Sequence, residues 1–376
     1  MNGDLEKIRQ EIDGLDSELV KLLNRRMELA VEAGRIKASA ALPTFHPERE
    51  QLIAKRLSEI NPGPLSGESL RAIYREIFAA SRLMQYRLQV AFPGPEWTLS
   101  HLAAMSLFGH SAVFMPCSSL EELFDTFLKG KANLAVIPVE ASMQDGSGHG
   151  IDFLYTRDVR VVSECYLEIS HYLCGNVTDT EAVKRVYGRR EDFYQCRRWL
   201  AENLGRVECI ECSSTSRAAM LAQEDREGAA ICNLYAAERF GLGILATRIE
   251  DVAGNTARFL ALGRHVNPPT GNDKTTLIFS VSDKPGALFA ALSSLSSTNL
   301  SRIESRPDKL FSGQYLFFAD IEGHCEQSAV RSALEGLAQN VVSLKILGSY
   351  PKGDPGEPFR VDTEKMRGLD KEKVSR

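Results

Sequence analysis

No run of uncharged apolar residues in these 376 residues approaches the ~20 needed to cross a bilayer, which argues against a membrane-spanning helix. Proline (15) and glycine (28) are too scarce for a collagen-like or low-complexity chain. A cationic surplus is also missing. The 45 Lys and Arg face 50 Asp and Glu, a formal charge of −5, so nothing points to nucleic acid or an anionic membrane as partner. The opening MNGDLEKIRQEIDGLD is charged every few residues and has no signal-peptide core. Eight cysteines in a chain this long do not make a disulfide scaffold, so a reducing cytoplasm is the expected setting. What is present, 43% hydrophobic and 25% charged residues, is ordinary globular composition spread over two or three domains.

The texture of the chain predicts three blocks and a tail. Residues 4–86 read as an all-α domain. Leu5, Ile8, Ile12, Leu15, Leu19 and Leu22 recur every three or four residues along one long helix, a second helix opens at Pro47, and a third carries Leu70, Ile73, Ile77 and Phe78 inward. A helix of about 35 residues is about 50 Å long. Two shorter helices cannot cover its stripe, so a homodimer or higher homo-oligomer is expected, with a solitary coiled-coil dimeriser as the plainer reading. Residues 88–265 alternate short β-rich runs with helical runs, the pattern of a bilobed α/β domain with ligands at the carboxyl ends of its strands. Residues 273–352 follow a βαββαβ order, an α+β ferredoxin-like domain. Residues 354–376 hold proline, glycine and charge and are expected to be disordered.

Some signals lead nowhere. Cys209-x-x-Cys212 is a lone pair in a strand-like run, whereas zinc sites need a second pair and redox pairs open a helix. Gly241-x-Gly243 lacks the rest of a dinucleotide loop, and the seven histidines are scattered. No cofactor and no metal are implied.

In the first block Arg9, Arg26, Lys37, Arg49, Glu50, Ser81 and Gln85 are polar residues on helices whose other faces are apolar. Arg26 and Lys37, eleven apart, project from one face. Taken singly, each could be solvated surface. The order IRQEIDGLD, LLNRRMELAVEAGRIKAS, ERE and ASRLMQ, however, resembles the all-helical chorismate mutases, and those seven residues fall at that family's active-site positions. The match departs at His46, where some members carry Asp. The resemblance implies rearrangement of chorismate to prephenate, with Arg side chains clamping carboxylates, Lys37 and Gln85 on the ether oxygen and Glu50 on the substrate hydroxyl. It also implies that Arg9 reaches into a partner's site.

The middle motifs VAFPGPEWTLSH, AVIPVEAS, ECSSTSRAAM and EDVAGNTARF resemble those of prephenate dehydratases. The whole chain is thus similar to the bifunctional chorismate mutase–prephenate dehydratase family of phenylalanine biosynthesis. That likeness places Thr98, Ser100, Glu140, Ser142, Thr215, Asn255, Thr256, Arg258 and Phe259 around a dehydratase-like cleft. Several positions depart from the family pattern, among them Gln144 and Asp145 where it usually has Glu-Gly, and Gly150 and Ile151 where it has Thr-Leu. Ala257 stands where the family has its proton-donating Thr, Trp97 where it has Gly, and Ala141 where it has Asn. A methyl group donates nothing, and Thr256 is one residue off on an extended segment, so the expected outcome is a folded domain with little dehydratase activity.

The last block resembles the ACT regulatory domain of dehydratases. Both motifs tied there to phenylalanine are intact: Gly286, Ala287 and Leu288, and Glu304, Ser305, Arg306 and Pro307. Phenylalanine is therefore the expected effector, against a plain dimerisation domain. Three functions stay open at this point: an enzyme with both activities, a chorismate mutase carrying a catalytically silent dehydratase-like domain, and a non-enzymatic scaffold that binds an amino acid.

Overall fold

A computed structural model describes residues 2–40, 45–139, 149–307, 315–356 and 358–359. They fall into two compact units. The first holds the described residues up to 89 together with 108–113, and the second holds the rest.

The helical unit is built from α1 (Asn2–Ser39), α2 (Pro47–Ile60) and α3 (Gly67–Gln85). Local chemistry sets the helix starts. Pro47 occupies the first turn of α2, where its missing N–H costs nothing, and Glu48 and Glu50 complement the helix dipole there. Ser66 caps α3 by accepting the Ser69 N–H at 3.0 Å. Only the second half of α1 is partly covered, along Leu23, Arg26, Met27, Ala30, Val31, Gly34 and Lys37, a helical face that packs on α3. The stripe Leu5, Ile8, Ile12, Leu15, Leu19 and Leu22 is 48–69% exposed in the single chain. Ile73, expected to face inward, is 49% exposed, whereas Phe78 is buried.

The second unit follows the chain as β1 (Gln89–Pro93), α4 (Leu99–Phe108), β2 (Val113–Cys117), α5 (Leu120–Leu128), β3 (Leu134–Pro138), α6 (His149–Thr156) and β4 (Arg160–Glu168). It continues through β5 (Tyr172–Gly175), β6 (Arg185–Gly188), α7 (Arg190–Gln195), α8 (Arg197–Asn203), β7 (Glu208–Glu211), α9 (Thr215–Glu224), β8 (Gly228–Cys232), α10 (Leu234–Phe240) and β9 (Gly243–Thr247). It returns through β10 (Thr256–Gly263), β11 (Asp273–Val281), α11 (Ala287–Ser293), β12 (Leu300–Pro307), β13 (Tyr315–Glu322), α12 (Ser328–Asn340) and β14 (Ser343–Pro351).

Among the described residues three sheets form, ordered β2-β1-β3-β10-β4, β7-β6-β8-β5-β9 and β12-β13-β11-β14. The first two are mixed, and the third is antiparallel with the expected βαββαβ succession. The chain leaves the first sheet after β4 and re-enters it at β10. The two crossing segments are tied by Ile169 N–H to Asn255 O (2.8 Å) and Ile249 N–H to His171 O (3.0 Å). Gly241, set aside above, closes α10 in the left-handed region at φ 65°, which suits a residue without Cβ. The start of the tail is not disordered as expected: Phe359 pairs with the edge of β4 through Tyr166 and Glu168. An edge strand leaves backbone donors and acceptors unpaired, and this segment satisfies two of them.

The third sheet is joined to the first by a buried polar network. Arg258 of β10 donates to Glu164 of β4 at 2.7 Å, to Asp320 of β13, and to the Tyr350 hydroxyl of β14 at 3.0 Å. Lys274 of β11 donates to the other Glu164 oxygen at 2.8 Å. Two cations thus meet two carboxylates with almost no exposure. Removing one partner of such a set leaves an uncompensated buried charge, worth about 3–5 kcal/mol. Arg258→Met should therefore lower the urea midpoint of the second unit sharply, and Arg258→Lys should lower it less; equilibrium denaturation followed by near-ultraviolet circular dichroism measures both.

Candidate active site

On α3, Phe78, Ser81, Arg82 and Gln85 lie at i, i+3, i+4 and i+7 and share the face turned to α1 and α2. From α1, the Arg26 guanidinium donates to Ser81 Oγ and lies 5.5 Å over the Phe78 ring. From α2, the Glu50 carboxylate receives Arg82, which is 4% exposed. Arg49 and Glu50 are close enough to act on both Arg26 and Lys37. Burial holds the Arg26 and Lys37 cations below their ordinary pKa values; Arg49 pushes both further down, while Glu50 opposes. Burial drives the Glu50 carboxyl upward, and Arg82 is the main restraint on that rise.

Gln85 has a distinct position. Its Oε1 is buried without a hydrogen-bond partner among the described residues. Its stem lies on Gly34 of α1: a Cβ there would come 2.6 Å from Gln85 Cγ and 3.3 Å from its Cα. Glycine at 34 is required by this close approach of two helices. Lys37 stands one turn further along that face of α1.

Six of the seven expected helical residues are therefore brought together: Arg26, Lys37, Arg49, Glu50, Ser81 and Gln85. Arg9 is not. It is exposed beside Glu6 at 3.8 Å, seventeen residues and so about 25 Å along α1 from Arg26. Sequence reasoning missed Gly34 and Arg82. The signal for Arg82 was present in the i, i+3, i+4, i+7 placement with Phe78, Ser81 and Gln85. That for Gly34 was a glycine in a helix interior, a signal that Gly14 of the same helix shares and that therefore did not single it out.

In the second unit the loop before α4 spans the two lobes. Ser216 Oγ donates to Glu96 O at 2.5 Å and Asn233 Nδ2 to Trp97 O at 2.9 Å, while the indole packs on the cluster of Tyr172, Cys174 and Ala218. Trp97 sits at φ 68°, a conformation natural to glycine and costly for a large side chain. Thr98 and Ser100 flank the start of α4, with Thr98 Oγ1 turned back onto Pro95 O at 2.9 Å, and Thr215 is buried at the start of α9 beside Ser216. Asn255 and Thr256 open β10, where Ala257 pairs with Leu167 and Thr256 with Glu168.

Strand alternation sends Thr256 and Arg258 to one face and Ala257 and Phe259 to the other. One expectation must be corrected here. Arg258 does not face a cleft with Thr98 and Ser100 but belongs to the buried network with Glu164, Asp320 and Tyr350, because the alternation that aims Ala257 one way turns Arg258 the other. Phe259, 2% exposed, is core. Glu140, Ala141, Ser142, Gln144 and Asp145 lie outside the described residues.

On the third sheet Gly286 adopts φ 82° and precedes α11, with Ala287 and Leu288 opening the helix. Glu304 accepts from Arg302 Nε at 2.7 Å, and its Oε2 is buried without a hydrogen-bond partner among the described residues. Arg306, on the same face of β12, lies 3.9 Å from Asp152 of α6; Ser305 points the other way and is exposed. Burial pushes the Cys209 and Cys212 thiols up, away from the thiolate form that redox or metal chemistry needs. Among the described residues no three His, Cys, Asp or Glu side chains gather into a metal cluster, and no helix is long and apolar enough to cross a membrane.

Comparison with known proteins agrees with this division. Residues 8–86 match the family model of chorismate mutase type II, and residues 90–267 that of prephenate dehydratase. The chain thus joins a mutase-type helical unit to a dehydratase-type α/β unit. A bifunctional chorismate mutase/prephenate dehydratase of Aquifex aeolicus is 39% identical over 355 residues, which are 93% of this chain and 98% of that one. One from Stutzerimonas stutzeri is 37% identical over 357 residues, again 93% and 98%. Among solved structures, a prephenate dehydratase of Arthrobacter aurescens in complex with L-Phe superposes with a TM-score of 0.66 at 31% identity, covering 77% of this chain and all of that one. The chain belongs to the bifunctional chorismate mutase/prephenate dehydratase family.

The Gly34 contact yields a prediction. Alanine at a helix interior is normally better than glycine by about 1 kcal/mol. Gly34→Ala should instead lower the melting temperature, because the added methyl strikes Gln85 close to its backbone; a thermal melt followed by circular dichroism at 222 nm measures the sign.

Proposed function

We propose that the helical unit is a working chorismate mutase. The observation that carries this reading is the gathering of Arg49 and Glu50 within electrostatic reach of both Arg26 and Lys37, with the stem of Gln85 held on Gly34, one turn from Lys37 along α1. Rearrangement of chorismate to prephenate is unimolecular and needs no acid, base or covalent partner. It needs two carboxylates held, a compact conformer selected, and a donor where charge grows as the ether C–O bond breaks. Arg26 and Arg49 suit the carboxylates by their forked donors. Lys37 and Gln85 would stabilise the developing negative charge on the ether oxygen, which raises rate because that interaction is stronger in the transition state than in the ground state. Glu50 would accept the substrate hydroxyl. Arg9 would enter the site of a second copy, a role consistent with its distance from Arg26 and with the bare stripe on α1.

We infer, in addition, that residues 88–265 form a dehydratase-type domain that folds but has lost most dehydratase activity. Loss of one donor to a developing charge costs about 10²–10³ in rate. Ala257 offers no donor, and Thr256 shares a face with Arg258 instead of with residue 257, which speaks against substitution by the neighbour. The bulk of Trp97 at a glycine-like φ adds to the argument. Residues 273–352 fit an ACT-type regulatory domain for phenylalanine, supported by Gly286 at φ 82° and the buried Glu304 oxygen. The L-Phe complex of the Arthrobacter dehydratase supports the same reading. Within this picture the protein acts in phenylalanine biosynthesis.

Two measurements test the proposal. With purified protein and chorismate, Lys37→Ala should reduce kcat/KM by about 10²–10³. The wild-type rate should fall on the alkaline side below the ordinary lysine pKa of about 10.4. The sign follows from the lowered Lys37 pKa: the charged, active form exists below that pKa and is lost as pH rises through it. An alanine variant with undiminished prephenate formation would refute the assignment. With prephenate at neutral pH, wild-type protein should form phenylpyruvate no faster than about 10⁻² of a normal enzymatic rate. Turnover at ordinary rates would favour a fully bifunctional enzyme, for which the whole-length likeness to the Aquifex relative speaks.

A further inference from the structure

Arg82 is a cation that the chemistry described so far does not use, and it is more deeply buried than any other charged group of the helical site: its side chain is 5% exposed against 23% for Glu50. Its three surroundings are fixed. One arm of the guanidinium donates to Glu50 Oε1, the other to the carbonyl of Phe108 at 2.9 Å, and the central carbon lies 5.6 Å over the Phe45 ring. Phe45 and Phe108, 4% and 1% exposed, meet edge to face at 4.9 Å and wall this cation off from water. Both arms and the flat face of the group are therefore engaged, so its position and plane are determined, which an ammonium on the same stem could not reproduce.

We propose that Arg82 is a positioning residue for the mutase reaction, fixing the Glu50 carboxylate for the substrate hydroxyl while Phe108 and Phe45 fix Arg82. The proposal rests on the reading in which Glu50 receives that hydroxyl. With Oε1 held by Arg82, Glu50 has Oε2 to offer a ligand, and the direction of that oxygen follows from the direction of the arginine. The charge state follows as well. Four groups act on Glu50. Arg82 from α3 and Lys37 and Arg26 from α1 favour the carboxylate, and Glu48 on its own helix disfavours it. In a partly dry site a carboxyl group drifts toward the protonated form, which donates where acceptance is wanted. Arg82 is the nearest restraint on that drift. An ion pair of purely structural value would fasten α3 to α2 and leave the pH dependence of the reaction alone.

The test is the pH profile of kcat/KM for chorismate, with melting temperature recorded for each variant. Arg82→Met should move the acid limb upward by about one unit or more, because Glu50 then protonates at higher pH, and should lower kcat/KM about tenfold at neutral pH. Arg82→Lys should return the limb toward its wild-type position while kcat/KM stays low, since one ammonium cannot serve both Glu50 and the Phe108 carbonyl. In Glu50→Gln the limb should vanish, and adding Arg82→Met should not restore it. A folded Arg82→Met protein with an unmoved acid limb overturns the proposal. Should Arg82→Met fail to fold, an Arg82→Lys protein with wild-type kcat/KM overturns it equally. A wild-type chain inert toward chorismate brings down the underlying reading and this proposal with it, whereas activity that depends on Lys37 but not on Arg82 brings down this proposal alone.

Discussion

Crowding of like charge on three thin helices is the constraint on which the helical unit turns. Arg49 stands close enough to lower the proton affinity of both Arg26 and Lys37, and the carboxylates of Glu50 and Glu48 are set beside them. Taken out of water, such an excess works against folding. It persists because the surroundings leave it little freedom. Ser81 and the Phe78 ring hold Arg26, Arg82 holds Glu50, and the Gly34 contact holds Gln85. In the reading proposed above, a dianionic substrate supplies the complement. Groups that already point at the place where charge will develop need no reorganisation during the reaction, which is how a site without nucleophile or base accelerates a bond rearrangement.

The larger unit handles buried charge in the opposite way. Around Arg258 two cations meet two carboxylates and a tyrosine hydroxyl, so nothing is left over for a ligand. That difference separates a site from scaffolding more reliably than residue type does. An arginine one residue away from the expected catalytic position proves to be a clamp between sheets. The pleat decides it, since Ala257 and Arg258, adjacent in sequence, face opposite sides of β10.

Much of this was legible in the sequence. The 3-4 spacing from Leu5 to Leu22, the proline at 47 and the run from Leu70 to Phe78 mark three helices, and the second opens at Pro47 as read. The βαββαβ order of the last block could be read from alternating β-rich and helical runs. Less legible were features that depend on what lies across an interface. The need for glycine at 34 is set by Gln85, 51 positions later, and the value of Arg82 is set by Phe108, which follows it by 26 residues. Periodicity places a side chain on a face and says nothing of its neighbour. Phe359 was missed for a similar reason: a polar tail looks unstructured until the bare edge of β4 is known.

The long helix joins these lines of argument. Its first half, from Asp4 to Leu22, is exposed in the single chain and carries six large apolar side chains on one stripe. Isolated helices are marginal in water, and most helical stability in proteins comes from packing an amphipathic face. Whatever covers Leu5 to Leu22 therefore decides whether the second half, which carries Arg26, Gly34 and Lys37, is held firmly enough to place them. Arg9 lies within that same stretch, too far along the helix to reach the site of its own chain. In the reading proposed above, covering the stripe with a second copy and completing the site with Arg9 are a single event. Assembly would then act on the reaction twice, by steadying the helix that carries the catalytic lysine and by supplying one more cation for the substrate dianion.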